Sequence, residues 1–294
     1  MNVTGLKRNS GSICIDKFYT KPDIAKMCIE RVLSATSINS NDTILEPSAG
    51  NGVFIDLIKK ISKNAIFIDI LPDHPEIQQQ DYLDSSFQIK QTKGDRVTPS
   101  VCKLHVIGNP PFGRGSSLAI KFIKRSCEIA DTISFILPRS FKKKSMEKYF
   151  DKYFHKIDSF DLPKNSFLVP LGGNQFKDHD VPCVFQIYTR KTIERPRTLQ
   201  LTPNNFSFVK KDQQPDISFR RVGGKAGEIN VDDIQSKSIQ SHYFIKLENE
   251  LSPELLEKLS SLTFGESDFT VGPKSISKQE LIIEFNRILS CLTV

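Results

Sequence analysis

Short apolar runs bounded by polar turns alternate, over the first two thirds of the chain, with segments whose apolar residues recur every three or four positions. Thr43–Leu45, Ala65–Ile70, Leu104–Gly108 and Thr132–Leu137 are such runs, and a further short strand ends near Asp81. Strands covered on both faces show continuous apolar runs rather than alternation, so these read as buried strands. Between them the spacing predicts helices over Asp23–Ala35, Val53–Ile61 and Leu118–Ala130. In the first, Ile24, Met27, Cys28 and Val32 share a face behind Pro22, a usual place for proline at a helix start. Phe141–Phe154 reads as a basic amphipathic helix, residues 85–103 as a polar loop, and Ile157–Leu162 with Val184–Thr189 as an antiparallel pair completing the sheet. This alternation predicts an α/β fold, a doubly wound and mostly parallel sheet with helices on both faces.

After Lys191 the texture changes. Pro196, Pro203 and Pro215 punctuate short runs such as Phe206–Val209 and Ile217–Val222, and Glu250–Leu262 and Lys278–Leu292 are helical in pattern. The expected division is a first domain over residues 1–191 and a small α+β extension over 192–294. No stretch of about 18 apolar residues predicts a membrane span. Met1–Gly11 is polar and lacks the apolar run of a signal peptide. The cysteines at 14, 28, 102, 127, 183 and 291 form no C-x-x-C pair and stand beside no histidine at ligand spacing. They read as reduced thiols of an intracellular protein with no metal site.

Net charge is +7, and the excess is concentrated. Between Arg114 and Lys156 stand eleven basic and four acidic residues. This predicts a phosphate-binding surface, with Arg114, Arg139, Lys142, Lys143 and Lys144 as the first contacts of a nucleic acid. Gly172–Phe176 reads as a mobile loop able to touch a target base or as a structural turn between two late strands. Lys210, Lys211, Arg220, Arg221 and Lys225 add a basic cluster to the extension.

Two motifs carry chemistry. Glu46-Pro47-Ser48-Ala49-Gly50-Asn51-Gly52 follows the first strand, where glycines let the backbone turn tightly and approach a ligand. It lacks the Gly-Lys-Ser/Thr ending of a P-loop, and Ile55 stands where a dinucleotide fingerprint would have its third glycine. Asp69 closes the second strand, where a carboxylate accepts both ribose hydroxyls of a nucleoside. Asp81 follows the third, placed to accept from an adenine amino group. The second motif is Asn109-Pro110-Pro111-Phe112. Its prolines stiffen the turn. The Asn109 side-chain carbonyl and the Pro110 backbone carbonyl are then two acceptors aimed at one exocyclic amino group, and Phe112 offers a ring face for a flat base.

With these motifs in this order, the chain resembles class I S-adenosylmethionine-dependent methyltransferases, and more narrowly the γ-type N6-adenine DNA methyltransferases, over about residues 14–190. The resemblance implies a Rossmann-like seven-stranded sheet and S-adenosyl-L-methionine as cofactor. It implies direct in-line transfer of a methyl group to adenine N6 in a flipped or unpaired base of nucleic acid, DNA favoured over RNA. Lys17-Phe18-Tyr19-Thr20 is similar to the segment that packs over the methionine end of the cofactor, with Tyr19 and Thr20 as contacts. Glu46, Pro47, Ser48, Ala49, Gly50 and Gly52 match the cofactor loop, and Asp69 and Asp81 match the ribose and adenine contacts. Asn109, Pro110, Pro111 and Phe112 match the catalytic tetrapeptide, Asn109 also facing the cofactor. Most DNA enzymes of this type end the tetrapeptide in tyrosine, whereas phenylalanine is also familiar in RNA adenine-N6 methyltransferases. Three other readings stand beside this one: a glutamine-amide methyltransferase of proteins, a non-catalytic subunit retaining the fold, and transfer to cytosine N4 or a guanine amino group. The extension over 192–294 is a candidate surface for positioning substrate or a protein partner. Cys183, in the apolar run Val181–Phe185, reads as a core residue rather than a nucleophile.

Overall fold

The computed structural model describes residues 7–9, 12–14, 18–88, 102–172, 175–196, 200–270 and 272–290. Lys17, residues 89–101 of the expected polar loop, Gly173, Asn174 and the end of the last expected helix lie outside the described residues. The chain divides into two compact units, Met1–Pro196 and Arg197–Val294.

In the first unit a hairpin of β1 (Lys7–Asn9) and β2 (Ser12–Cys14) precedes β3 (Tyr19–Thr20) and α1 (Pro22–Ala35). Then come β4 (Thr43–Glu46), α2 (Ile55–Lys59), β5 (Asn64–Asp69), β6 (Gln78–Gln79), β7 (Leu104–Gly108), α3 (Ser117–Ile129) and β8 (Thr132–Pro138). The unit closes with β9 (Phe154–Asp161), β10 (Phe167–Gly172), β11 (Gln175–His179) and β12 (Cys183–Arg190). Seven strands form one sheet in the order β6-β5-β4-β7-β8-β12-β9. Only β12 runs against the others. The expected mostly parallel α/β sheet is therefore present, and its strand order reverses between β4 and β7, the place where open α/β sheets bind ligands.

Both faces of the sheet are covered. Ile44, Phe67, Ile107, Ile136 and Phe185 pack with Ile24, Cys28, Val32 and Ile58 of α1 and α2. Leu45, Ile68, Val106, Phe135 and Val184 pack on the other face with Ala119, Phe122 and Ile123 of α3. Each fully buried side chain of this size contributes roughly 1.5–3 kcal/mol. Successive apolar residues on one strand thus serve opposite cores, which is why the strands read as unbroken apolar runs.

The expected helix over Phe141–Phe154 is not there. Two 3₁₀ turns, Arg139–Lys142 and Lys144–Tyr149, meet at an extended Lys143. Side chains distant in sequence bond carbonyls along this stretch. The Arg195 guanidinium donates to Glu147 O at 2.9 Å, Phe150 O at 3.4 Å and Phe154 O, and Gln186 Nε2 donates to Phe141 O at 3.1 Å. Phe141, Phe150 and Phe154 still reach the core, by a path without helical spacing.

In the second unit β13 (Phe206–Phe208), β14 (Ile217–Arg220), β15 (Ile229–Asn230) and β16 (His242–Leu247) form an antiparallel sheet in the order β13-β16-β14-β15. Helices α4 (Pro253–Ser260) and α5 (Lys278–Leu289) share its core of Phe206, Ile217, Phe219, Ile245, Leu281 and Phe285. Ser252 caps α4, and Ser277 with Glu280 forms a capping box on α5. No helix among the described residues is long and apolar enough to cross a membrane.

Under the amino ends of the parallel strands lies a buried polar network. His105 Nδ1 is 2.7 Å from Thr132 Oγ1 and its Nε2 is 3.3 Å from Asp42 Oδ2. Asp42 also accepts the N–H groups of Asn39 and Lys103, at 2.8 and 2.9 Å. Burial lowers the His105 pKa and outweighs the opposing pull of Asp42. The unfolded chain therefore binds more protons just below the ordinary histidine range, and stability is lost as pH falls through it. Unfolding free energy measured by urea titration should decrease from pH 7 to pH 5, and His105→Gln should flatten that slope. An equal slope in the variant removes His105 as its source.

Candidate functional site

The carboxyl ends of β4, β5 and β7 lie side by side at the reversal point. The turn after β4 is tied to β5 by backbone and side chain together. Ala49 N–H donates to Ile68 O at 3.0 Å, and Gly50 N–H donates to Asp69 Oδ2 at 2.8 Å. The other Asp69 oxygen accepts Leu71 N–H at 2.8 Å. Each carboxylate oxygen has used one acceptor site, and two acceptor sites remain for a ligand. Gly50 and Gly52 have φ of +52° and +80°, which side-chain-bearing residues avoid. A Cβ on Gly52 would stand 2.7 Å from Ile55 Cδ1 and 3.0 Å from His74 Cγ, and one on Gly50 would meet the Tyr19 ring at 3.4 Å.

Glu46 ends β4 inside this arrangement. It is fully buried, and Oε2 has no hydrogen-bond partner. Burial pushes its pKa well above the carboxylate range, and the neighbouring Asp69 charge adds to that. Such an orphaned buried acid is costly unless a ligand completes it.

Asn109 follows β7. Its Nδ2 donates to Phe18 O at 3.3 Å and to Thr20 Oγ1 at 3.2 Å. A backbone carbonyl only accepts, so this pairing settles which end of the carboxamide faces Phe18. No hydrogen bond from a described residue reaches Oδ1. Ser48 Oγ donates to Asn109 O at 3.1 Å, joining the glycine turn to the tetrapeptide. Pro110 is buried and Pro111 exposed. Phe112 is half-buried against both cores, and its carbonyl accepts Leu118 and Ala119 N–H at 3.0 and 3.3 Å, starting α3. Its ring is thus anchored at the sheet end.

The groups that hold Asn109 come from far away in the chain. β3 pairs antiparallel with β10, and β10 with β11, as a separate three-stranded sheet. Phe18 stacks on His179 with centroids 4.8 Å apart and rings 1° from parallel. Lys21 pairs with Asp178 at 2.8 Å. The Tyr19 ring meets the edge of Phe176 at 6.1 Å, and its hydroxyl donates to Asp73. Burial and the bond to Asp73 both push the Tyr19 pKa up. Asp73 N–H in turn donates to Gly50 O at 2.9 Å. Of the expected loop at Gly172–Phe176, Gly172 ends β10, Gln175 and Phe176 begin β11, and Gly173 and Asn174 lie outside the described residues. Leu171 and Phe176 are 62% and 49% exposed there. Sequence reasoning placed Phe18 in the segment Lys17–Thr20 without a role of its own, and passed over Asp73, Asp178 and His179. β11 is exposed along nearly its whole length, so no alternation marked it.

Other expected residues are placed differently. Asp81 lies two residues beyond β6, exposed, with Oδ1 accepting Leu83 N–H at 2.8 Å. Arg139 and Lys142 both face Asp161, at 3.7 and 2.8 Å. Lys143 is 8% exposed, while Arg114 and Lys144 are exposed. The five basic residues expected to meet phosphate therefore do not form one open cluster. Cys183 is buried in β12, and burial pushes its thiol pKa up, as suits a core residue.

No family profile matches the chain, and no curated protein matches it. Among solved structures it is similar to a proposed RNA methyltransferase from Pyrococcus horikoshii, at 15% identity over 60% of this chain and 87% of that one, with a TM-score of 0.43. It is similar to a proposed class I S-adenosylmethionine-dependent methyltransferase from Listeria monocytogenes, at 15% identity over 64% and 66%, with a TM-score of 0.42. A dimethyladenosine transferase from Plasmodium falciparum is similar at 15% identity over 60% and 64%, with a TM-score of 0.39.

The turn geometry is directly testable. Gly52→Ala should cost about 1–2 kcal/mol from its left-handed backbone alone, with more from the clash at Ile55. Urea denaturation reads the loss; stability equal to the wild type would mean that the turn does not need its positive φ.

Proposed function

We propose that this chain is an S-adenosylmethionine-dependent methyltransferase that methylates the N6 amino nitrogen of adenine in nucleic acid, with DNA as the first substrate. The observation that carries the proposal is the locked Asn109 carboxamide. Its donor end is spent on Phe18 O and Thr20 Oγ1, which leaves Oδ1 to accept from a planar amino group. Phe112 supplies the adjacent ring.

The cofactor fits the residues that surround the glycine turn. Glu46 Oε2 is an orphaned acceptor suited to the ammonium of an amino-acid moiety. Asp69 retains acceptor capacity for a pair of ribose hydroxyls, and Gly50 and Gly52 leave room that a Cβ would fill. Tyr19 closes over Gly50, Pro47, Ser48 and Ala49 shape the turn, Thr20 orients Asn109, and Asp81 stands beyond the neighbouring strand end. When bound, the cofactor supplies a methyl group on a sulfonium centre. The chain's own work is positional. Asn109 Oδ1 and the Pro110 carbonyl hold the amino hydrogens, so that the nitrogen lone pair points along the line of attack. Such orientation is worth roughly 7–11 kcal/mol in favourable cases. A base inside a duplex cannot reach these acceptors, so the adenine enters flipped or unpaired. RNA is the second reading, favoured by Phe112, which keeps the ring face without a tyrosine hydroxyl.

Incubation with labelled cofactor and equal masses of unmethylated DNA and total RNA, followed by nucleoside analysis, tests the proposal. Labelled N6-methyladenine from DNA is expected. The same product from RNA alone selects the second reading, and label in neither polymer rejects both. Asn109→Ala should lose at least about a hundredfold in transfer rate, with cofactor affinity nearly unchanged by calorimetry. Full activity in that variant would sink the mechanism. Asp69→Ala should weaken cofactor binding by roughly tenfold or more, and an unaltered affinity removes the ribose assignment.

A further inference from the structure

Eleven basic residues stand between Arg114 and Lys156, and the structure sorts them. Arg125 pairs with Glu128, Arg139 and Lys142 with Asp161, Lys152 with Glu194 and Lys156 with Glu147. Lys143 is buried. Arg114, Lys121, Lys124, Lys144 and Lys148 remain, all exposed and without an ion pair among the described residues. They do not gather at the mouth of the site. Arg114 stands just before α3, which starts on the Phe112 carbonyl and runs back along the sheet; Lys121 and Lys124 lie on α3, and Lys144 and Lys148 on the 144–149 turn. Lys121 and Lys124 come four and seven residues after Ser117, about 6 and about 10 Å along the axis. Three residues apart, they share one helix flank.

The 144–149 turn packs beside that flank and contributes Lys148 and Tyr149. Between turn and helix lies a groove of about 350 Å³, lined by Lys124, Lys148, Tyr149 and Arg190 together with Glu128 and Asp151. Of the two acids only Glu128 has a cationic partner; Asp151 bonds a neutral backbone N–H and keeps its charge, so Lys124, Lys148 and Arg190 face one uncompensated carboxylate. Arg125 holds Glu128 at 2.6 Å, and Asp151 Oδ1 accepts Tyr153 N–H at 2.9 Å. Arg190 donates to the carbonyls of Cys127 and Ala130, which are neutral, so its charge is not cancelled. Lys148 Nζ stands 5.2 Å from the centre of the Tyr149 ring. Unpaired cations beside an aromatic face are the means by which proteins hold a nucleic-acid strand without reading its sequence.

We infer that this groove is a second nucleic-acid contact, binding the phosphodiester backbone of a strand that continues a few nucleotides beyond the target base. The inference rests on the proposed nucleic-acid substrate and extends its footprint along the flank of the first unit, away from the tetrapeptide.

The full chain is compared with the variant K121A/K124A/K148A for binding to a long single-stranded oligonucleotide and to a short one spanning only the target adenine and its neighbours. The expected result for the long strand is at least roughly a tenfold loss at low salt. The slope of log K against log salt should become shallower by about 2. Cofactor affinity and transfer to the short strand should stay at wild-type values. The single change Lys148→Glu should weaken long-strand binding in the same direction, with an unchanged thermal midpoint. An unchanged slope and affinity for the long strand overturn the inference. So does polyglutamate that competes at the groove as well as the oligonucleotide does, since the groove would then suit an acidic protein segment. Binding is read without turnover, so absent methylation alongside a weakened variant rejects the reaction and keeps the groove.

Discussion

The site depends on the parallel pairing of β4 with β5 on one side and β7 on the other. That pairing brings the ends of three strands level, and each end contributes to the candidate site. β4 delivers Glu46 and the glycine turn, β5 delivers Asp69, and β7 delivers Asn109. The backbone N–H of Gly50 then finds its acceptor in Asp69, and Ser48 reaches the Asn109 carbonyl. A turn that must leave its backbone open to a ligand cannot cover its own polar groups. Here the neighbouring strands cover them instead.

The second constraint is orientation. A carboxamide is two-ended, and a free asparagine would present donor or acceptor with little preference. Phe18 O removes that freedom because it can only accept. Phe18 and Thr20 are placed by β3, and β3 is placed by pairing with a hairpin that leaves the chain almost 150 residues later. Lys21–Asp178 and the Phe18–His179 stack reinforce that pairing. The orientation of Asn109 is thus supported by residues far from it in the chain, which do not themselves touch its carboxamide.

Charge is arranged by the same logic of supply and partner. Asp161 takes up Arg139 and Lys142 at the carboxyl end of β8, and the core takes in Lys143. Exposed pairs of this kind add little stability, but they change which cations face outward. The outward set lies along α3 and the 144–149 turn, where Glu128 is already paired with Arg125.

Much of the first unit was legible in the sequence, because strands buried on both faces must be apolar throughout and the turns between them must be polar or glycine-rich. The order of strands and helices, the glycine turn and the tetrapeptide all follow from local rules. Over the expected helix Phe141–Phe154 the chain forms two 3₁₀ turns instead, and Arg195 and Gln186, distant in sequence, bond its carbonyls. Pattern alone cannot register such partners. The hairpin of β10 and β11 left little trace, since strands exposed along their length need no alternation. Residue types and their spacing determined by themselves the α/β class and the candidate chemistry at Asn109, Asp69 and Gly50. Only the tertiary structure decided which way Asn109 faces, which cations stay unpaired and what closes over the turn. Each of those depends on a contact between residues far apart in the chain, and such contacts exist only once the chain has folded.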